Sequence, residues 1–177
     1  MNRRHFLITG GTGLALVGLG TLGWLFIPGN PRELTTDAAL AALDNLADNV
    51  IGIEGEWNLP QVLVHCAQSI EYSLTGYPEH HSDAFKQTAG TVAFAAFSAK
   101  GRMHHGLNEA IPGAPEIEVT TRIEPAISRL ASAFINFQQY AGELQEHFAY
   151  GALTKSEYEK AHVMHFYNHL EAAIVRS

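Results

Sequence analysis

Near its end the chain reads Glu159-Lys-Ala-His-Val-Met-His-Phe-Tyr-Asn-His-Leu-Glu171, a helical pattern with three histidines on one face. The segment Thr154-Lys-Ser-Glu157 just upstream has the form of a capping box, which opens a helix. At about 100° per residue, His165 and His169 are separated by roughly 40°, and His162 lies within about 60° of both. This helix is predicted to run on almost to the end of the chain.

A histidine pair at positions i and i+4 aims two imidazoles at one point, the geometry with which a helix chelates a divalent metal ion. A further histidine, His65, lies far upstream in another strongly helical stretch. If the two helices pack side by side, His65, His165 and His169 supply three neutral nitrogen ligands and leave one coordination position open. The alternative is that they are core or solvated histidines of amphipathic helices. The spacing indicates metal chemistry without naming a substrate.

The remainder of the chain after the N-terminal region shows helical patterns and no sustained alternation of period two. Capping and turn signals place predicted helices at residues 35–47, 59–76, 82–99, 124–140 and 154–175. The intervening stretch 101–118 is predicted to be irregular, because it contains Ile111-Pro-Gly-Ala-Pro115. The sequence therefore predicts an all-α domain, most simply an up-and-down four-helix bundle.

The composition argues against nucleic acid and anionic lipid as partners and excludes an internal disulfide bond. The 177 residues carry a formal net charge of -7 with neutral histidine, which favours neither nucleic acid nor anionic lipid as a partner. The ten histidines are many for this length, and they are scattered, unlike a purification tag. Cys66 is the only cysteine, so no internal disulfide can form, and the count neither requires nor excludes an oxidising compartment.

The N-terminus has the features of an export signal or a membrane anchor. Arg3-Arg4 followed by Phe6-Leu7 resembles a twin-arginine signal. The uncharged residues 6–27 would form a helix about 33 Å long, enough to span a bilayer. Because no convincing cleavage site precedes Pro28, an uncleaved anchor is favoured over a signal that is removed.

The two arginines would place the N-terminus in the cytoplasm and the domain outside, by the positive-inside rule. The chain is therefore predicted to sit in a bacterial inner membrane with its domain facing the periplasm. It divides into a signal or anchor (residues 1–28), a linker (residues 29–34) and a helical domain (residues 35–177). The predicted partner is the membrane, through residues 6–27, and a membrane protein complex is a further candidate.

Two strings resemble the DinB/YfiT-like superfamily: Trp57-Asn-Leu-Pro-Gln-Val-Leu-Val-His65 and His165-Phe-Tyr-Asn-His169. Longer strings fit one uncharacterised branch, a domain-of-unknown-function family, and the resemblance covers most of the chain after about Leu34. It implies a four-helix bundle that binds a divalent metal through His65, His165 and His169. Zinc is the expected metal, and nickel and iron(II) accept the same ligands. Some members of the superfamily are thiol-dependent transferases or isomerases, and others resemble hydrolases.

The other histidines are less suited to bind the metal. His162 could support the ligands by a hydrogen bond, and it is expected in preference to be an alternative ligand or an exposed residue. The loop pairs His80-His81 and His104-His105 are adjacent in sequence, and adjacent residues rarely chelate one ion on regular backbone. Each bound imidazole should donate its other N–H to a carbonyl or carboxylate. Glu71, Gln61 and Tyr72 are the candidates for this role, and Glu71 lies about 240° from His65 on a helix, which argues against it as a fourth ligand.

Three further expectations concern packing and charge. Arg102 is expected in a surface salt bridge in preference to an anionic substrate site. Cys66 follows His65 directly, so its side chain points elsewhere on the helix, and it is expected to be a small buried residue, not a nucleophile. Five aromatic residues are assigned to the core: Phe85, Phe94, Phe97, Phe134 and Phe137.

Two functional hypotheses follow from these observations. In the first, the chain is a membrane-anchored extracytoplasmic DinB-like protein, and its metal acts as a Lewis acid in transfer or hydrolysis on a small molecule that the sequence does not identify. In the second, the chain is a non-catalytic accessory subunit of a larger membrane protein complex. The glycines within residues 6–27 favour this second hypothesis, because small residues let helices pack closely in lipid.

Overall fold

The computed structural model describes residues 33–53, 56–120, 122–171 and 173–175, which belong to a unit spanning Arg32–Ser177. In chain order its elements are α1 (Thr36–Asn49), β1 (Val50–Ile53), α2 (Leu59–Thr75), α3 (Asp83–Phe85), a π-helical turn (Lys86–Gly90), α4 (Thr91–Lys100), α5 (Ile123–Gln139), α6 (Lys155–Leu170) and β2 (Ala173–Val175). The predicted signal or anchor lies outside the described residues. Among the described helices, none is both long and apolar enough to cross a bilayer.

Four helices enclose the hydrophobic core. Both α1 and α2 pack against α5 and against α6. The core between them contains Leu43 from α1, Leu63 from α2, Phe134 from α5 and Phe166 from α6, each at most 1% exposed. In α1, α2 and α5, apolar residues three and four positions apart line one face, and burying that face stabilises the packed arrangement. The predicted helical class is confirmed.

The helices that carry the site begin where the sequence signals predict. In α2 the Asn58 side chain accepts from the N–H of Gln61, and the Gln61 side chain accepts in return from the N–H of Asn58. In α6 Thr154 and Glu157 form the same reciprocal pair. Such a capping box satisfies two of the backbone N–H groups that the first turn of a helix leaves without partners.

The last helix ends earlier than predicted. α6 stops at Leu170, and the residues after it do not continue the helix to Val175. Instead β2 pairs antiparallel with β1, with Val50 opposite Val175 and Ile53 opposite Ala173. β-Branched residues fit a paired strand better than a helix, because their χ1 angle is restricted against the preceding helical turn. This strand pair is a feature that the all-α prediction lacks.

The predicted helix over residues 82–99 is interrupted by the π-helical turn. Gly90 in this turn is buried, and a Cβ there would overlap the carbonyl oxygen of Ala149. The segment that contains Ala149 therefore packs against the turn at a distance that only a residue without a Cβ allows. Phe94 and Phe97 on α4, like Phe134 and Phe137 on α5, are buried as predicted. Phe85 is 40% exposed, so its assignment to the core is wrong.

Two irregular segments, residues 101–120 and 140–154, also contact α6. The Tyr158 hydroxyl on α6 donates to the carbonyl of Gln145 at 2.7 Å. The imidazole of His105, in the other segment, lies 4.8 Å from that of His165 on α6. Because helices and segments surround it, much of α6 is buried, including the polar residues His162, Asn168 and His169.

Candidate metal centre

Three imidazoles meet where α2 faces α6. Nε2 of His165 lies 3.0 Å from Nε2 of His65 and 3.1 Å from Nε2 of His169. The ring centroids are 4.9–5.0 Å apart. His65 and His169 are 3% and 0% exposed, and His165 is intermediate in exposure. The packing of α2 on α6 thus brings together all three histidines that the sequence predicts as ligands.

These distances suit a shared cation. Two nitrogens that bind one zinc ion tetrahedrally at about 2.0–2.1 Å lie roughly 3.3 Å from each other. A ring nitrogen has one in-plane position, which holds either a lone pair or a hydrogen. Nε2 of His165 can therefore make a good hydrogen bond to one of its two close neighbours but not to both. A single cation accepts the lone pairs of all three nitrogens at once.

Burial keeps these histidines in the neutral form that a metal requires. It lowers the pKa of His65 to about 3 and that of His169 to about 2, with a further contribution from the neighbouring imidazoles. The pKa of His165 is lowered well below its usual value for the same reasons. Proton binding competes with metal binding at the same nitrogen. The three imidazoles are therefore neutral at pH 7, the form in which histidine binds a metal.

The expected acceptors for the second ring nitrogens are absent among the described residues. Nδ1 of His65 and Nδ1 of His169 are buried without a protein partner. Glu71 instead pairs with Arg129 through two contacts of 2.7 and 2.9 Å, and Gln61 is engaged in the capping box of α2. Among the described residues, no group therefore fixes the tautomer of these two rings at Nδ1, and a metal bound at Nε2 would place the proton on Nδ1.

The described site lies inside a region that a family model matches. Residues 30–175 match the model described as "Protein of unknown function (DUF1569)". The chain belongs to this family. No curated protein and no solved structure matches the chain.

In this DUF1569 chain, the third histidine of the α6 face has a role that the sequence does not reveal. His162 is 3% exposed, so the expectation of an exposed residue is wrong. Its Nε2 lies 3.2 Å from Oγ of Ser73 on α2, and burial lowers its pKa to about 3. The Ser73 hydroxyl donates to the carbonyl of Ile70, so it accepts from Nε2–H of His162. His162 thus joins α6 to α2 beside the three converging histidines.

A fourth histidine stands beside the three. The ring of His105 lies 4.8 Å from that of His165 and 5.0 Å from that of His169. Its Nδ1 donates to the carbonyl of Gly106 at 2.7 Å, which leaves the lone pair on Nε2. That Nε2 is buried without a protein partner. The His104-His105 pair gives no sign of this, because the conformation of an irregular segment cannot be read from its sequence.

Two of the three histidines, His65 and His165, line a cavity of about 420 Å³. His65, His105 and His165 line it, together with His81 and His147 from the surrounding segments. This volume falls within the range of small-molecule sites in proteins. A ligand in the cavity would therefore contact His65 and His165.

Arg102 and Cys66 have the structural roles that the sequence predicts. Arg102 forms an ion pair with Glu171 at 2.9 Å, which confirms the salt bridge. Cys66 is buried, and burial raises the pKa of its thiol well above the usual value, as expected for a packed residue without thiolate reactivity.

Proposed function

We propose that the chain binds one divalent metal ion, with zinc as the expected occupant, through Nε2 of His65, His165 and His169. The proposal rests on the convergence of three ring nitrogens whose short contacts cannot all be hydrogen bonds, because Nε2 of His165 can bond to only one of its two neighbours. Three nitrogen ligands leave a fourth position for water or a substrate, the pattern of catalytic zinc sites.

The function that this arrangement supports best is metal-assisted transfer or hydrolysis on a small molecule. A zinc ion with three neutral ligands supplies a Lewis acid and lowers the pKa of a bound water toward 7. The residues of the chain hold the ring nitrogens in a site withdrawn from bulk solvent and provide a cavity that can take the reactant. Excluding water strengthens the electrostatic interactions within such a site.

The proposal includes a relation to the DinB/YfiT-like superfamily. Its support is the position of the histidines: His65 lies on the second of the four packed helices, and the pair His165 and His169 lies on the last. The same superfamily resemblance implies a transferase or hydrolase activity, and it is this implication that we carry over to the present chain.

We further propose that the protein is anchored in a bacterial inner membrane through residues 6–27, with its domain in the periplasm. The support is in the sequence alone: an uncharged stretch of spanning length behind Arg3-Arg4. Fractionation of cells that produce the full chain would test this, since a membrane anchor keeps the protein with the membranes after washing with carbonate.

Cobalt(II) substitution tests the metal centre, because cobalt accepts zinc ligands and absorbs visible light. The untagged full chain should give a tetrahedral cobalt spectrum that changes when imidazole is added to the open position. His169→Ala should lose the spectrum, while His80→Ala, a matched control at an exposed loop histidine, should keep it. A folded wild-type chain that never develops the spectrum would refute the proposal and favour a non-catalytic accessory subunit.

A further inference from the structure

We propose that the cavity beside the three histidines selects an uncharged, mainly apolar small molecule with one hydrogen-bond donor directed at Nε2 of His105. This inference rests on the proposed metal centre, which would anchor one end of the ligand. It assigns a substrate class to the site.

The wall of the cavity is largely apolar. Met103 and Ile111, from the segment 101–120, are 5% and 4% exposed, and both line the cavity. Phe148 and Ala149 contribute from the segment 140–154, and Ala161 contributes from α6. Removing apolar ligand surface from water against such a wall is favourable, by about 25 cal/mol per Å². A charged group placed there would lose its hydration without gaining a partner.

Apart from the proposed metal ion, the charged residues around the cavity disfavour anions. No lysine or arginine is among the described residues that line it, and Glu109 is the charged side chain that does. The Glu109 carboxylate is held over Gly106, where an added Cβ would lie 2.5 Å from its Oε1. Two nearby cations already have acidic partners: Arg102 binds Glu171, and Lys86 binds Glu146 at 2.7 Å. A dication on the three histidines would attract an anion, so the repulsion applies to a carboxylate or phosphate that the ligand places beside Glu109, away from the metal.

Two histidines of the cavity wall determine where a ligand can donate a hydrogen bond. Nδ1 of His147 accepts from the backbone N–H groups of Ala149 and Tyr150 at 3.1 and 3.2 Å, so its proton resides on Nε2. His105 has the opposite arrangement, because its Nδ1 donates to Gly106. The lone pair on its Nε2 is buried and has no protein partner. A buried acceptor without a donor is costly, so a ligand N–H or O–H near His105 would be favoured.

Three probes built on one scaffold separate these features. They are 4-phenylimidazole, its 1-methyl derivative, and the derivative with a carboxylate on the phenyl ring. Each is titrated into the cobalt-loaded full chain, whose cobalt content is measured on the same sample. We expect 4-phenylimidazole to bind at least about tenfold more tightly than the carboxylate and than the 1-methyl probe.

Two variants assign the effects to residues. Glu109→Gln should reduce the ratio between the affinities for 4-phenylimidazole and for its carboxylate derivative. Glu118→Gln, at an exposed position in the same segment, should leave this ratio unchanged. His105→Phe should remove the preference over the 1-methyl probe while the cobalt content stays the same. Equal or tighter binding of the carboxylate by a cobalt-loaded chain would overturn this inference alone. A chain that takes up no cobalt would overturn the metal centre and this inference with it.

Discussion

At the scale of single residues, the contact between His162 and Ser73 shows how a polar group is accommodated in the interior. Both side chains are buried, at 3% and 0% exposure. The serine hydroxyl gives its hydrogen to Ile70 and keeps its lone pairs for the imidazole N–H. The histidine is thereby held with its proton on Nε2, and neither polar atom is left without a partner.

We expect Ser73→Ala to lower the free energy of unfolding by about 1–3 kcal/mol, because Nε2–H of His162 would remain buried without an acceptor. Urea denaturation of the metal-free chain measures the change. Ser128→Ala makes the same substitution at an exposed position of α5 and should change stability by less than about 0.5 kcal/mol. Equal effects at the two positions would contradict the assigned hydrogen bond.

The spacing of His165 and His169 is enough to predict that the two rings converge, because the geometry of a helix is fixed by its repeat. The meeting with His65 is predictable only through the family resemblance, since it depends on how α2 packs on α6. The burial of His162 is missed for a different reason. A helix covered on most sides has no distinct solvent face, so a polar residue on it need not be exposed.

At the scale of elements, the helix starts can be predicted and the last helix end cannot. The capping boxes at Asn58 and Thr154 depend on neighbours within one turn, and the predicted one at Thr154 forms. The end of α6 depends on β2 pairing with β1, a partner more than 100 residues away. The irregular segments are set in the same way by distant contacts, and they build most of the cavity wall.

Gly90→Ala tests the contact between the π-helical turn and the segment 140–154. The new Cβ would overlap the Ala149 carbonyl oxygen, and a backbone atom cannot move aside as a side chain can. We expect a loss of stability of about 1–3 kcal/mol, the usual range for overpacking. Thermal unfolding, converted to free energy at the midpoint, gives the value.

Gln87→Ala is the matched control, since it lies in the same turn with its side chain exposed. Its stability should stay within about 0.5 kcal/mol of the wild type. A Gly90→Ala chain as stable as this control would show that the two segments do not approach each other as described. Because Ala149 lines the cavity, the destabilised variant should also bind 4-phenylimidazole more weakly.

At the scale of the whole molecule, burial of histidine makes stability depend on pH. The pKa values of His65, His162 and His169 are lowered to between about 2 and about 3, whereas an unfolded chain has them near 6.5. Below pH 6.5 the unfolded state binds protons that the folded state does not. The stability contributed by these groups is therefore fully present above pH 6.5 and is lost progressively as the pH falls.

We expect the free energy of unfolding of the metal-free chain to fall steeply between pH 6.5 and 4.5. Each buried histidine contributes a slope of up to about 1.4 kcal/mol per pH unit. His162→Gln should reduce the total slope by one such contribution, even if it lowers stability at pH 7.5. His80→Gln is the control for the substitution itself. A slope that is the same in all three chains would contradict the buried, neutral state of His162.

The most direct test of the central claim is the metal content of the purified, untagged full chain, measured by elemental analysis after growth with zinc. We expect about one divalent ion per chain in the wild type and in His80→Ala, and almost none in a folded His165→Ala variant. A wild-type chain without metal, or a His165→Ala variant that retains it, would contradict the three-histidine centre.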